Sequence, residues 1–202
     1  SGFEELKQAF SDEVHFEGST AYKIHSEPSM GKTIQTMSGD QHRVNRALVS
    51  RPFFPKQVRQ AVEELLVPVA CELLDRIEGQ EQVDLVEAFA RPYPFTVITR
   101  MLGIPVNDES KLLAWALKLI DYPWDPVGAV QARDDFANYM RPIVNERRAN
   151  PGGDIISTLS QAEFEGKRLS DEEIFSFLRL LFPAGSDTTF KVGGSLFYAV
   201  LS

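Results

Sequence analysis

Cysteine is nearly absent. Cys71 is the single one among 202 residues, which excludes an internal disulfide framework and any multi-cysteine metal site. A lone thiol is most simply placed in a reducing, cytoplasmic compartment. Positive charge is also scarce: 21 Lys and Arg against 29 Asp and Glu leave a net charge of −8. A chain so acidic is a poor non-specific binder of nucleic acid. No uncharged apolar run reaches the ~18 residues that a membrane span needs. The most apolar stretch, Leu65 to Leu74, is short and contains Pro68 and Glu72. The opening Ser-Gly-Phe has neither methionine nor a charged-then-apolar leader, so no signal peptide is visible and an N-terminus lying upstream is expected.

Strict period-2 alternation is nearly absent, and internal repeats and low-complexity tracts are missing. What is there is helical spacing, in a composition of 43% hydrophobic and 25% charged residues that suits a globular fold. The prediction is a mainly α chain, read as one partial domain over 1–202. Ser1 and Glu4 have capping-box spacing for a helix to Phe10. The stretch from Asp12 to Gly39, with Gly18, Pro28 and Gly31, reads as loop. A short helix follows from Asp40 to Ser50. Pro55 opens a helix whose apolar stripe (Val58, Val62, Leu65, Leu66, Val69, Leu73, Ile77) ends at Gly79. Asp84 caps a segment interrupted by Pro92 and Pro94 and stopped by Gly103-Ile-Pro105. Asn107 or Asp108 begins the next helix, to Ile120. A turn over Tyr122 to Pro126 precedes a helix to Ala149, and Asp154 caps a short one. Ser170 and Glu173 form a second capping box, from which a helix about 45 Å long runs to the end.

Two segments could carry chemistry. Between Asp40 and Arg59 five basic residues (Arg43, Arg46, Arg51, Lys56, Arg59) face one acid, Asp40, giving +4 in a chain of −8. His42 and Arg46 stand at i and i+4, on one helix face. They either meet an anion or belong to a solvated basic face with ordinary salt bridges. The second segment is Phe182-Pro-Ala-Gly-Ser-Asp-Thr188-Thr, inside the last helix. Pro183 and Gly185 weaken the helix beside an acid, Asp187, and an alcohol, Thr188. This is either a proton-passing pair at a disturbed ladder or a proline with Ser/Thr back-bonding. Cys71 reads as a buried structural thiol, and His15 and His25 lack partners at metal-ligand spacing. Nucleophilic triad, P-loop and dinucleotide fingerprints are absent.

The order of these segments resembles cytochrome P-450, the haem-thiolate monooxygenases, in their soluble bacterial form. Gly39-x-x-His42-x-x-x-Arg46 followed by Phe54-Pro55 looks like the helix C signature, in which a His and an Arg bind the haem propionates. The run from Val83 to Pro92, ending at Leu102-Gly-Ile-Pro105, is similar to the helix D to E region. Ala184-Gly-Ser-Asp187-Thr188-Thr189 matches the family's A-G-x-[DE]-T-T motif. Three matches in order, at about the right separations, extend the resemblance from helix B to helix I.

The resemblance implies a partial cytochrome P-450 fold, without the N-terminal strands and the C-terminal half that ligates haem. It implies that His42 and Arg46 face the propionates of haem b, with Ala184 and Gly185 letting the long helix pass close to the ring. Thr188 and Asp187 are the catalytic pair: Thr188 hydrogen-bonds dioxygen or a water, and Asp187 helps deliver protons. Met37, Tyr122, Trp124 and Phe182 are implied at the substrate wall. The implied reaction is hydroxylation of a small apolar substrate by O2, with electrons from a ferredoxin- or reductase-type donor that Arg43, Arg51 and Arg59 could meet. The family's Glu-x-x-Arg motif and the loop bearing the haem-ligating cysteine have no counterpart here. Cys71 is not that ligand, so this chain is expected to be inactive alone and to associate or be unstable as a free monomer. Two other readings compete: a haem-less homologue acting as scaffold or activator subunit, and an unrelated helical ligand-binding protein.

Overall fold

The computed structural model describes residues 2–12, 14–105 and 109–202. It is mainly helical, as the spacing predicts. In chain order the elements are α1 (Phe3–Ser11), α2 (Gly18–His25), α3 (Glu27–Met30), a 3-10 turn (Ile34–Thr36), α4 (Gly39–Val49) and a second 3-10 turn (Arg51–Phe53). Then come α5 (Pro55–Ala61), a π-helical turn (Val62–Leu66), α6 (Val67–Asp75), a second π-helical turn (Val86–Ala90) and α7 (Pro92–Leu102). The remainder is α8 (Glu109–Ile120), α9 (Pro126–Ala149), α10 (Ile155–Gln161), strands β1 (Glu163–Phe164) and β2 (Lys167–Arg168), and α11 (Asp171–Leu201).

The first half of α11 is the axis of the core. Ile174, Phe175, Leu178 and Phe182 are all buried, packed among α7, α8 and α9. Phe182 meets Phe95 edge-on at 5.1 Å between ring centroids and Phe136 at 6.4 Å. An aromatic trio of this kind contributes both buried area and favourable ring geometry. Beyond Thr188 the same helix is exposed at Val192, Leu196 and Tyr198.

Predicted caps are realised where they are described. Ser170 Oγ accepts from the Glu173 amide at 3.3 Å while the Ser170 amide donates to Glu173 Oε2 at 2.9 Å, a complete capping box. Asp154 Oδ1 accepts from the Ser157 amide at 2.7 Å, and Asp84 Oδ1 from the amides of Val86 and Glu87. Gly103 ends α7 at φ +73°, a left-handed C-cap conformation that favours glycine. At the start of α1 the predicted Ser1 cap lies outside the described residues; there the Gly2 amide donates to Glu5 Oε2 at 2.7 Å. The predicted cap at Asn107 or Asp108 also lies outside them.

Four expectations are corrected. The segment from Asp12 to Gly39 is not mainly loop: it holds α2 and α3, because Gly18 and Pro28 sit in first turns, where neither residue costs a helical hydrogen bond. The helix after Pro55 and the one after Asp84 each contain a π-helical turn. Both turns stop two residues before a proline, at Leu66 ahead of Pro68 and at Ala90 ahead of Pro92. Proline lacks the amide that would bond four residues back, and the ladder widens just upstream. The apolar stripe is buried only at Val69 and Leu73, whereas Val58 and Val62 are exposed. Cys71 is exposed rather than buried, because at 100° per residue it points away from the side shared by those two neighbours.

Candidate functional site

The candidate catalytic and cofactor-binding residues stand on two helices. On α11, Thr188 Oγ1 donates to the Ala184 carbonyl at 2.7 Å and Ser186 Oγ to the Phe182 carbonyl at 2.8 Å. Both hydroxyls therefore back-bond one turn upstream, and α11 runs unbroken through Pro183. Ala184 and Thr188 are exposed. With 3.6 residues per turn, they lie within about 40° of Phe177 around the helix axis. Thr188 and Thr189 open into a groove of about 460 Å³ whose walls include Phe89, Tyr93, Val192 and Leu196.

Asp187 and Gly185 point elsewhere. Asp187 Oδ2 pairs with Lys191 Nζ at 2.6 Å and borders a small crevice of about 50 Å³ beside Arg91, Phe95 and Leu117. Gly185 faces α7, and a Cβ there would sit 3.5 Å from the Ile98 side chain. Its position is thus at a helix–helix contact, beside the open face that holds Ala184 and Thr188.

On α4, His42 is half-buried and Arg46 exposed. Among the described residues neither side chain has a hydrogen-bonding or ionic partner. Their neighbour Arg43, by contrast, is fully engaged with Asp40 and Glu165. An unpaired imidazole and guanidinium one turn apart form a ready receptor for carboxylates or phosphates. The C-terminal end of α4 leads to Phe53, whose ring meets Phe177 of α11 edge-on at 6.4 Å. Asn45 and Val49 of α4 border a crevice with Glu173 and Phe177. The His42–Arg46 pair is thus on an element that borders the first turns of α11, at Glu173 and Phe177.

The residues expected at a substrate wall are not gathered. Phe182 is 0% exposed inside the aromatic core and cannot border an open cavity without repacking. Met37 is buried beside a crevice of about 10 Å³, too small for a ligand. Trp124 is 81% exposed and Tyr122 half-buried, in the turn between α8 and α9. Cys71 lies on α6, and no group of three or more His, Cys, Asp or Glu suited to a metal occurs among the described residues. No helix among them is long and apolar enough to cross a membrane.

Two features escaped the sequence reading. One is the hairpin of β1 and β2, turned by Glu165 and Gly166, both at positive φ (51° and 75°). A Glu-Gly pair between two short runs was its only trace. The other is Arg179, 1% exposed within the apolar first half of α11. Its Nη1 reaches Glu172 Oε1 at 2.8 Å and the Met30 carbonyl at 3.2 Å. Burial pushes the pKa of this guanidinium down, with Glu172 opposing the shift.

No family model matches the chain. Among curated proteins it is similar to a cytochrome P-450 of Bacillus subtilis (strain 168), 32% identical over 202 residues, which cover 98% of this chain and 49% of that protein. It is also similar to the polyketide biosynthesis cytochrome P-450 PksS of the same strain, 35% identical over 164 residues, covering 79% and 40%. Among solved structures it superposes on the bacillaene polyketide synthase cytochrome P-450 PksS of Bacillus subtilis with a TM-score of 0.74 and 31% identity, over 80% of this chain and 42% of that one. It superposes on CYP109E1 of Bacillus megaterium in complex with testosterone with a TM-score of 0.69 and 34% identity, over 84% and 49%. The chain spans about half the length of the relatives it matches.

Proposed function

Because this chain belongs to the cytochrome P-450 family, spanning about half the length of its relatives, we propose that it supplies the carboxylate clamp and the oxygen-side helix of a haem-dependent monooxygenase. The observation that carries this reading is the unpaired His42–Arg46 pair on α4, an element that borders the first turns of α11, the helix bearing the exposed Ala184 and Thr188. The residues fit one end of a haem and not the other. Two unpartnered basic side chains suit its two propionates, whereas the single cysteine, Cys71, lies on α6, outside both helices of the candidate site. An axial thiolate would have to be supplied by another segment, and on this reading the helices described here are not competent alone.

When bound, haem supplies the oxygen and electron chemistry; the residues here supply binding and protons. His42 and Arg46 hold the carboxylates by charge-assisted hydrogen bonds. Ala184, exposed and small, would leave room for the ring on this face of α11. Thr188, already donating to the Ala184 carbonyl, keeps lone pairs free to accept from a water or polar group in the groove. Asp187, half-buried and paired to the exposed Lys191, borders a different crevice, so a role as proton carrier to Thr188 would require its carboxylate to leave Lys191. The substrate is a small apolar molecule, a reading supported by the similar CYP109E1 having been solved with testosterone. Arg51 and Arg59, which lack ionic partners among the described residues, are the contacts for an acidic ferredoxin- or reductase-type donor in the cytoplasm.

The test is a titration of the chain with haem, followed by tryptophan quenching. Replacing both His42 and Arg46 by Ala is expected to weaken binding by about tenfold or more, the scale of losing two charge-assisted hydrogen bonds. Unchanged affinity would overturn the clamp.

A further inference from the structure

The hairpin of β1 and β2 stands between the two helices of the site and is tied to both. Its turn makes a bidentate pair with α4: Arg43 Nη1 to Glu165 Oε1 at 2.9 Å and Nη2 to Glu165 Oε2 at 2.8 Å. The Arg43 guanidinium also lies 5.6 Å from the centre of the Phe164 ring. One strand later, Lys167 Nζ donates to Glu173 Oε1 of the α11 capping box at 2.8 Å and reaches Asn45 Oδ1 of α4 at 3.4 Å. Arg43 and Asn45 lie between His42 and Arg46 along the helix, so both ties to α4 fall beside the clamp.

The turn itself points to more than fold closure. A two-residue turn with positive φ at both positions favours Asn-Gly or Gly-Gly. Glutamate at φ +51° is uncommon, and strain of this kind is kept where a side chain is needed in that place. Here the strained residue is the one that grips Arg43. The pair is half exposed, so its energy is modest, but bidentate geometry fixes orientation as well as distance.

We infer that the β1–β2 hairpin is a positioning clip: through Glu165 and Arg43 it sets the orientation of α4, and with it the aim of His42 and Arg46 at the carboxylates of their ligand. This rests on the clamp reading above. Glu165 is a positioning residue with no contact to the ligand of its own.

The clip is tested by titrating the chain with iron protoporphyrin IX and, separately, with its dimethyl ester, which lacks the two charges. The ratio of the two affinities reports the clamp alone. Glu165→Asn places the favoured residue in the turn and removes the grip. Its melting temperature is expected to hold or rise, ester affinity to stay unchanged, and the acid-over-ester preference to fall about threefold, the scale of one exposed ion pair. By charge alone, removing a carboxylate near an anion site would raise that preference, so a fall reports geometry. A preference that is unchanged or higher in Glu165→Asn, or equal weakening of both ligands with a lower melting temperature, overturns the clip. If the wild type and the His42→Ala/Arg46→Ala variant show the same preference, the clamp itself fails and the clip with it.

Discussion

At the scale of single residues, close approach decides where change is tolerated. Gly31 sits at φ +82°, and a Cβ there would collide with Ser176 Oγ beside the buried Arg179. Gly31→Ala is expected to cost more than about 2 kcal/mol, since both the backbone and the buried ion-pair cluster must shift. Chemical denaturation checks this, and a loss below about 0.5 kcal/mol would contradict it. The Arg43 guanidinium holds the Glu165 carboxyl below the usual glutamate range through its hydrogen bonds. A depressed carboxylate pKa keeps the pair intact above the unfolded value and loses it as pH falls through the folded one. Arg43→Gln is therefore expected to move the Glu165 titration up toward the ordinary ~4.3, as read by carbon-detected NMR. Identity was legible at this scale, but direction was not. The sequence names Gly185, Asp187 and Thr188 as neighbours, yet each step turns about 100° around the helix. Only the positions of Ile98 and Lys191 show that Gly185 is at a helix contact beside the open face and that Asp187 turns to a different side from Thr188.

At the scale of elements, caps and breakers were the readable part. The spacing predicts a helix from Pro126 to Ala149 and a box at Ser170, and both stand as expected, because terminal glycine, proline and carboxylate side chains act on backbone groups within a few residues. The π-helical turns before Pro68 and Pro92 are local effects of proline, which marks a disturbed ladder without saying that it widens; the hairpin before α11 depends on distant partners, and no local periodicity announces it. Asp154 shows how one cap joins several elements. It caps α10, and its Oδ2 accepts from Arg147 Nε at 2.6 Å while Arg147 Nη2 donates to the Gly103 carbonyl at the end of α7. Asp154→Ala is expected to destabilise by about 1–2 kcal/mol, at the upper end of cap losses, because the Arg147 pair goes with the cap. Equilibrium unfolding measures it; a change within about 0.3 kcal/mol would show that the cap is dispensable.

At the scale of the whole molecule, buried and exposed surfaces are unevenly shared. The first half of α11 is enclosed, but Val192, Leu196, Tyr198, Val200 and Leu201 are 59–77% exposed along its end. On α1, Phe3 is 76% and Phe10 89% exposed. Exposed apolar side chains in such number are uncommon on a monomer and favour association. Light scattering behind a sizing column is expected to show oligomers at micromolar concentration, and Val192→Glu/Leu196→Glu to shift them toward monomer. A monomeric wild type that melts in one sharp transition would contradict this. The sequence reading anticipated such a surface from the resemblance alone, without locating it.

Central to the proposed function is that α4 and α11 flank one ligand. Adding ferric protoporphyrin IX to the isotopically labelled chain tests this directly, because the unpaired electrons of the iron broaden nuclear resonances nearby. His42, Arg46, Ala184 and Thr188 are expected to broaden together while Cys71 and Trp124 stay sharp. Broadening confined to one of the two helices, or spread evenly over the chain, would contradict it.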